Sequence, residues 1–198
     1  MEIETPVGTA RAHVEPVPDP VGAVVLGHGA GGGVGARDLV AAAGAAREAG
    51  YAVAYVEQPY RVAGRRSPAP AQQLDTAWTA VVAYLLANDL HGLPIVAGGR
   101  SSGARVACRT AAATGVAAVL CLAFPVHPPG RPERSRLEEL DSVTVPTLVV
   151  QGVRDPFGMP PAGHSRTVVH VASDHSLRAD LATLAEAVRE WLRSLAPA

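Results

Sequence analysis

The stretch Pro94-Ile-Val-Ala-Gly-Gly-Arg-Ser-Ser-Gly-Ala-Arg-Val-Ala107 decides the fold. An apolar run enters a glycine frame that holds two adjacent serines, and a helix-forming run follows. Gly99-Arg100-Ser101-Ser102-Gly103 fits G-x-S-x-G with Ser101 at its centre. Ser102 cannot be framed the same way, because position 104 is Ala. Between a strand and a helix this motif forces a turn so sharp that the serine is strained, and the flanking glycines avoid Cβ clashes. The helix that follows aims backbone N–H groups and a partial positive charge at the reacting centre. In a chain with 20 Gly, chance yields roughly 0.1 such match. The motif therefore needs company before it carries chemistry.

Outward from that turn, two hydrophobic periods alternate along the 198 residues. Buried strands are expected over 22–29, 51–58, from Pro94 to Gly99, over 117–126, 146–153 and 166–172. Helices are expected over 38–50, 74–88, 102–113, near 134–140, and as a long amphipathic terminal helix over 177–195. Near-continuous Val/Leu/Ala strands separated by helices predict a mostly parallel sheet covered on both faces, a three-layer α/β/α sandwich. Alternation in Thr9–Pro16 suggests an antiparallel edge hairpin. The Pro/Gly/Arg-rich segment 59–71 reads as an exposed, mobile loop. With no internal repeat and no long linker, residues 1–198 are expected to form one domain.

Composition excludes several functions. All 17 basic residues are Arg, so Schiff-base lysines, P-loop lysines and Ser–Lys dyads are ruled out. A net charge of −1 gives no case for nucleic acid or an anionic membrane surface. No apolar run approaches the ~20 residues of a membrane span, and the first residues lack a signal-peptide pattern. Cys108 and Cys121 have no metal-like spacing and read as reduced thiols of a cytoplasmic protein. No cofactor and no metal is expected.

A serine nucleophile needs a base, an orienting carboxylate and an oxyanion hole, all at the carboxyl ends of parallel strands. Asp155 follows the strand "PTLVVQG", and His175 follows "RTVVHVA". The order Ser101, Asp155, His175 is the one that such a sheet demands. Ser101 would attack, His175 would take and return its proton, and Asp155 would hold the imidazole. The glycine loop "GHGAGGGVG" after the first strong strand supplies the remaining part. Its oxyanion donors are expected to be the N–H groups of Ala30 and Ser102, with Gly31 as the alternative. His28, Gly31, Arg100 and His127 are candidates for the substrate pocket.

Other residues have blander readings. Ser102 starts a helix, His28 braces its glycine loop, Asp174 caps a helix, and Glu57 pairs with an Arg. His164 is a weaker base than His175, and His170 is a packed or edge residue. Arg61, Arg65 and Arg66 are solvated charges, with anion binding as a secondary idea. A rival class remains. Gly27–Gly32 also satisfies G-x-G-x-x-G, with Glu57 as a ribose acid, which would make a dinucleotide-binding domain. That reading leaves Ser101, Asp155 and His175 unexplained. A third reading is a catalytically silent binding module.

The segments "GHGAGG", "GGRSSGAR", "FPVHPPG", "PTLVVQGVRDPFG" and "DHSL" occur in this order between Val21 and Trp191. On them the chain resembles the α/β-hydrolases, specifically the small lidless kind similar to dienelactone hydrolases. Within these it is most similar to the testis-expressed-type hydrolase-like proteins, whose domain also occurs in a histone-acetyltransferase complex subunit. The resemblance implies the triad Ser101, Asp155 and His175, an oxyanion loop after His28, and no lid. It departs from dienelactone hydrolases in having Ser, not Cys, as nucleophile. The expected activity is hydrolysis of an ester or thioester of a small molecule through an acyl-enzyme. With few residues between Phe124 and Val145, an open site is expected.

Overall fold

The computed structural model describes residues 1–195. Its strands are β1 (Glu2–Thr5), β2 (Gly8–Glu15), β3 (Gly22–Gly27), β4 (Tyr51–Glu57), β5 (Ile95–Arg100), β6 (Ala118–Leu122), β7 (Thr147–Gly152) and β8 (Arg166–Val171). The helices are α1 (Arg37–Glu48), α2 (Pro59–Val62), α3 (Ala71–Ala87), α4 (Ser102–Thr114), α5 (Leu137–Asp141) and α6 (Leu181–Leu195). One eight-stranded sheet runs β1-β2-β4-β3-β5-β6-β7-β8. The β1–β2 hairpin joins β4 antiparallel, and every pairing from β4 to β8 is parallel.

Side-chain alternation along the strands divides the core into two layers. Ala23, Val25, Ala52, Ala54 and Val149 face α3 and α4, where Trp78, Val81, Leu85 and Val106 are buried. Val24, Leu26, Val53, Leu148 and Val150 face α1 and α6, where Leu39, Leu184, Val188 and Leu192 are buried. Parallel strands covered on both faces have no solvent side, which is why their sequences are continuous apolar runs. The three-layer sandwich and the edge hairpin are as the sequence predicted.

Three local expectations are corrected. Segment 59–71 is not a loop throughout: Pro59 opens α2 with its fixed φ, and Tyr60 is buried. The last helix starts at Leu181 rather than 177, because Leu177 is buried with φ +53 in a turn. Asp174 holds that turn, accepting from Ser176 N–H at 2.8 Å, so it caps no helix. The cap of α6 is Asp180, whose Oδ1 accepts from Thr183 N–H at 3.1 Å. Among the described residues, only α5 and irregular chain lie between β6 and β7, so no lid domain covers the carboxyl ends of the strands.

Candidate active site

Ser101 is the turn between β5 and α4, with φ +52 and ψ −106. For a residue with a Cβ this conformation costs about 1–3 kcal/mol and persists only where its surroundings enforce it. Two bonds do so: Ser101 N–H donates to Leu122 O at 2.9 Å, and Arg105 N–H donates to Ser101 O at 3.2 Å. The motif's glycines are required by the neighbouring strand. A Cβ on Gly103 would lie 2.5 Å from Gly27 C and 3.0 Å from His28 O, and one on Gly99 would lie 2.9 Å from Gly103 C. The turn is sharp because α4 begins directly against the end of β3.

His175 Nε2 lies 3.0 Å from Ser101 Oγ, and its Nδ1 lies 2.8 Å from Asp155 Oδ2. The Asp155 side chain is fully buried, while the imidazole keeps 18% of its surface exposed. An ionised carboxylate only accepts, so Nδ1 carries the proton and Nε2 is free to accept from the serine hydroxyl. The sequence brought these three residues together in prospect, and the fold brings them into one hydrogen-bonded chain. Asp155 is held by two further donors, Phe157 N–H at 2.8 Å to Oδ1 and Gln151 Nε2 at 2.9 Å to Oδ2. Gln151 Nε2 also faces the carbonyls of Phe124 at 3.1 Å and Gly158 at 2.8 Å. The Phe157 ring meets the imidazole edge to face at 4.4 Å.

The pocket candidates have other occupations. Arg100 Nε lies 2.6 Å from Asp38 Oδ2, and its Nη2 donates to His175 O at 3.0 Å. It therefore bridges α1 to the histidine loop and does not point free into a pocket. Burial pushes the Asp38 carboxyl above the ordinary range, and the Arg100 charge pulls it back. His28 is 3% exposed with both ring nitrogens engaged: Nδ1 with Gly29 O at 2.9 Å, Nε2 accepting from Gln58 N–H at 3.1 Å. Burial lowers its pKa, so it is neutral and braces its loop. His127 is half-buried against the acid loop, its N–H donating to Phe157 O at 3.2 Å and its Nδ1 engaged with Pro128 O at 3.0 Å. Gly31 is exposed at the loop surface.

The remaining candidates fall outside the hydrogen-bonded chain. His164 and His170 are exposed. Glu57 lies 3.5 Å from both Arg11 and His13. Arg65 and Arg66 are exposed, and Arg61 is half-buried. A cleft of about 340 Å³ opens between the β1–β2 turn at Val7–Thr9 and the α2–α3 region, lined by Pro59, Tyr60 and Leu74 among others. Neither Ser101 nor His175 is on its wall. Sequence reasoning missed Gln151, Asp38 and Tyr60. Gln151 had a signal, a polar residue inside an apolar strand four positions before Asp155; the other two had none.

Comparisons with known proteins agree with this fold. A lidless α/β serine hydrolase from Xanthomonas campestris superposes with a TM-score of 0.79 at 24% identity, covering 100% of this chain and 94% of its own. The esterase Est1E from Butyrivibrio proteoclasticus, solved with ferulic acid bound, has a TM-score of 0.79 at 20% identity over 98% of each chain. A dienelactone hydrolase from Anabaena variabilis has a TM-score of 0.76 at 18% identity, covering 98% of this chain and 95% of its own. No curated protein matches the sequence. The family model described as alpha/beta hydrolase domain matches residues 20–190, which takes in the Ser101 turn, the Asp155 loop and His175, and the chain belongs to that family.

Proposed function

We propose that the protein is a serine hydrolase that cleaves a carboxylic ester or thioester of a small molecule through an acyl-enzyme. The observation that carries this reading is the continuous bond chain Ser101 Oγ–His175–Asp155, assembled from the ends of three strands. His175 Nε2 takes the Ser101 proton as Oγ attacks the acyl carbon. The tetrahedral oxyanion is met by Ser102 N–H at the head of the 13-residue α4 and by Ala30 N–H of the glycine loop. Neither N–H has a hydrogen-bond partner among the described residues. As the intermediate collapses, His175 returns the proton to the leaving alkoxide or thiolate. Water then attacks the Ser101 ester with His175 again as base, releasing the acid and restoring Ser101. Asp155 holds the imidazole tautomer and offsets the charge of the imidazolium.

With no lid domain, the site suits a small or protruding acyl group. Est1E binds ferulic acid, so an aromatic acyl group belongs in the first substrate panel. The full chain is read as one domain. Among the described residues no helix is long and apolar enough to cross a membrane. Cys108 and Cys121 are buried free thiols with sulfurs 3.5 Å apart, which supports a reducing, cytoplasmic setting.

The test is intact-mass spectrometry after a fluorophosphonate probe, on the wild type and Ser101→Ala. One adduct on the wild type and none on the variant is expected. An unlabelled, well-folded wild type would overturn the proposal in favour of a silent binding module.

A further inference from the structure

Resting on the hydrolase reading, we propose that Tyr60 is a positioning residue for the oxyanion hole, acting through its hydroxyl on the carbonyl of Ala30. In a trans peptide the C=O of one residue and the N–H of the next point in opposite directions. Whatever holds the Gly29 carbonyl therefore aims the Ala30 N–H, and whatever holds the Ala30 carbonyl aims the Gly31 N–H. Gly29 O accepts from His28 Nδ1–H at 2.9 Å and from Gly32 N–H at 3.2 Å. Ala30 O accepts from Tyr60 Oη–H at 2.9 Å. The two consecutive donors of the loop are thus aimed separately, the Ala30 N–H through His28 and the Gly31 N–H, the alternative oxyanion donor, through Tyr60.

Within the loop Gly32 N–H donates to Gly29 O and Ala36 N–H to Gly33 O, but among the described residues no backbone N–H reaches the Ala30 carbonyl. Added Cβ atoms on Gly31, Gly33 and Gly35 would meet nothing within 4 Å, so no neighbour packs against the loop at those positions. Both ties originate at one place, the junction of β4 and α2. Gln58 N–H donates to His28 Nε2 and so fixes the tautomer in which Nδ1 donates. Two residues later Tyr60, only 6% exposed, stacks edge to face on His28 with centroids 5.7 Å apart. Pro59 starts α2 between them, which turns the chain so that the Tyr60 ring lies beside His28. Tyr60 makes no other side-chain hydrogen bond among the described residues. Its hydroxyl has a task in the glycine loop and none elsewhere.

The test is Tyr60→Phe, which keeps the ring and deletes only the hydroxyl. Initial rates with p-nitrophenyl acetate and with its thiono analogue, in which sulfur replaces the carbonyl oxygen, are compared with wild type. Sulfur is a poor acceptor, so the thiono ester draws little on the oxyanion donors. The expected result is a roughly ten-fold fall in kcat for the oxo ester with KM within about two-fold, the loss of about one neutral hydrogen bond. The oxo-to-thiono rate ratio should fall by a similar factor, which a merely structural defect would not produce. In a second arm, Gly31→Pro deletes the N–H of the plane that Tyr60 ties, and adding Tyr60→Phe to it should cost little more. Unchanged kcat and ratio in Tyr60→Phe, or full additivity with Gly31→Pro, would overturn the inference. A wild type that fluorophosphonate does not label would overturn the hydrolase reading and this inference with it.

Discussion

Arg100→Met tests how the histidine loop is held against the rest of the molecule. Arg100 is the motif's variable residue, yet its guanidinium joins Asp38 of α1 to the carbonyl of His175. The Asp38 side chain is 2% exposed and that of Arg100 19% exposed, so the pair is largely out of water. Removing the arginine leaves a buried carboxylate with no counter-charge, a change that costs about 3–5 kcal/mol in such sites. For a chain of this size each kcal/mol lowers Tm by roughly 2–4 °C, so a fall on the order of 6–20 °C is expected. The sign of the pH dependence follows from the carboxyl. Burial already raises its folded-state pKa, and without Arg100 it rises further. A raised folded pKa means the native state binds the proton more tightly than the unfolded chain. The variant's deficit is therefore small below the unfolded value of about 3.9 and grows as pH rises through the folded value. Asp38→Asn in the same chain removes the orphan charge while keeping an oxygen for Leu39 N–H, now at 3.0 Å from Oδ1. Urea titrations of the four members of this cycle at pH 5 and pH 8 measure the effect. The double variant should recover most of the loss. A single variant that loses under about 1 kcal/mol at pH 8, or a double variant no better than the single, would refute the reasoning.

Two further outcomes follow from the same geometry. Gly103→Ala places a methyl against Gly27 and the His28 carbonyl with backbone on both sides, so the start of α4 must shift; overpacking of about 1–3 kcal/mol is expected as a lowered urea midpoint, with loss of fluorophosphonate labelling that Gly44→Ala, in open space on α1, does not share. Gln151→Leu removes a donor to the Asp155 oxygen that also accepts from His175; a hydrogen bond to a charged group is worth about 1.5–3 kcal/mol, so kcat with p-nitrophenyl acetate should fall by roughly 10- to 100-fold, and an unchanged kcat would remove Gln151 from the support of the acid.

The layers of the fold were legible because burial on both faces leaves a strand no freedom to alternate. Val24 to Leu26 and Leu148 to Val150 had to be apolar throughout, and the helical runs between them had to cross over. Ser101, Asp155 and His175 were legible for a related reason. A parallel sheet exposes reactive side chains only where strands end, so position in the chain already restricted each to one loop. What was not legible is contact across the sheet's carboxyl edge. Asp38 sits at the start of a helix, where an acidic residue is expected for the dipole alone, and nothing local shows that its carboxylate meets Arg100 from a different crossover. Tyr60 lay in a segment whose prolines, glycine and arginines mark a loop, and those residues do describe 63–70, which is largely exposed. Only Pro59, read as the first residue of a helix rather than as a breaker, carries the chain back so that the tyrosine is buried. The same amino acid has both meanings in sequence, and the choice is made by Gln58 and His28, residues thirty positions apart that bond only once the sheet has formed. The residues of the Ser101–His175–Asp155 bond chain were thus readable from topology, whereas the residues that hold them in place depend on tertiary contacts that no local pattern encodes.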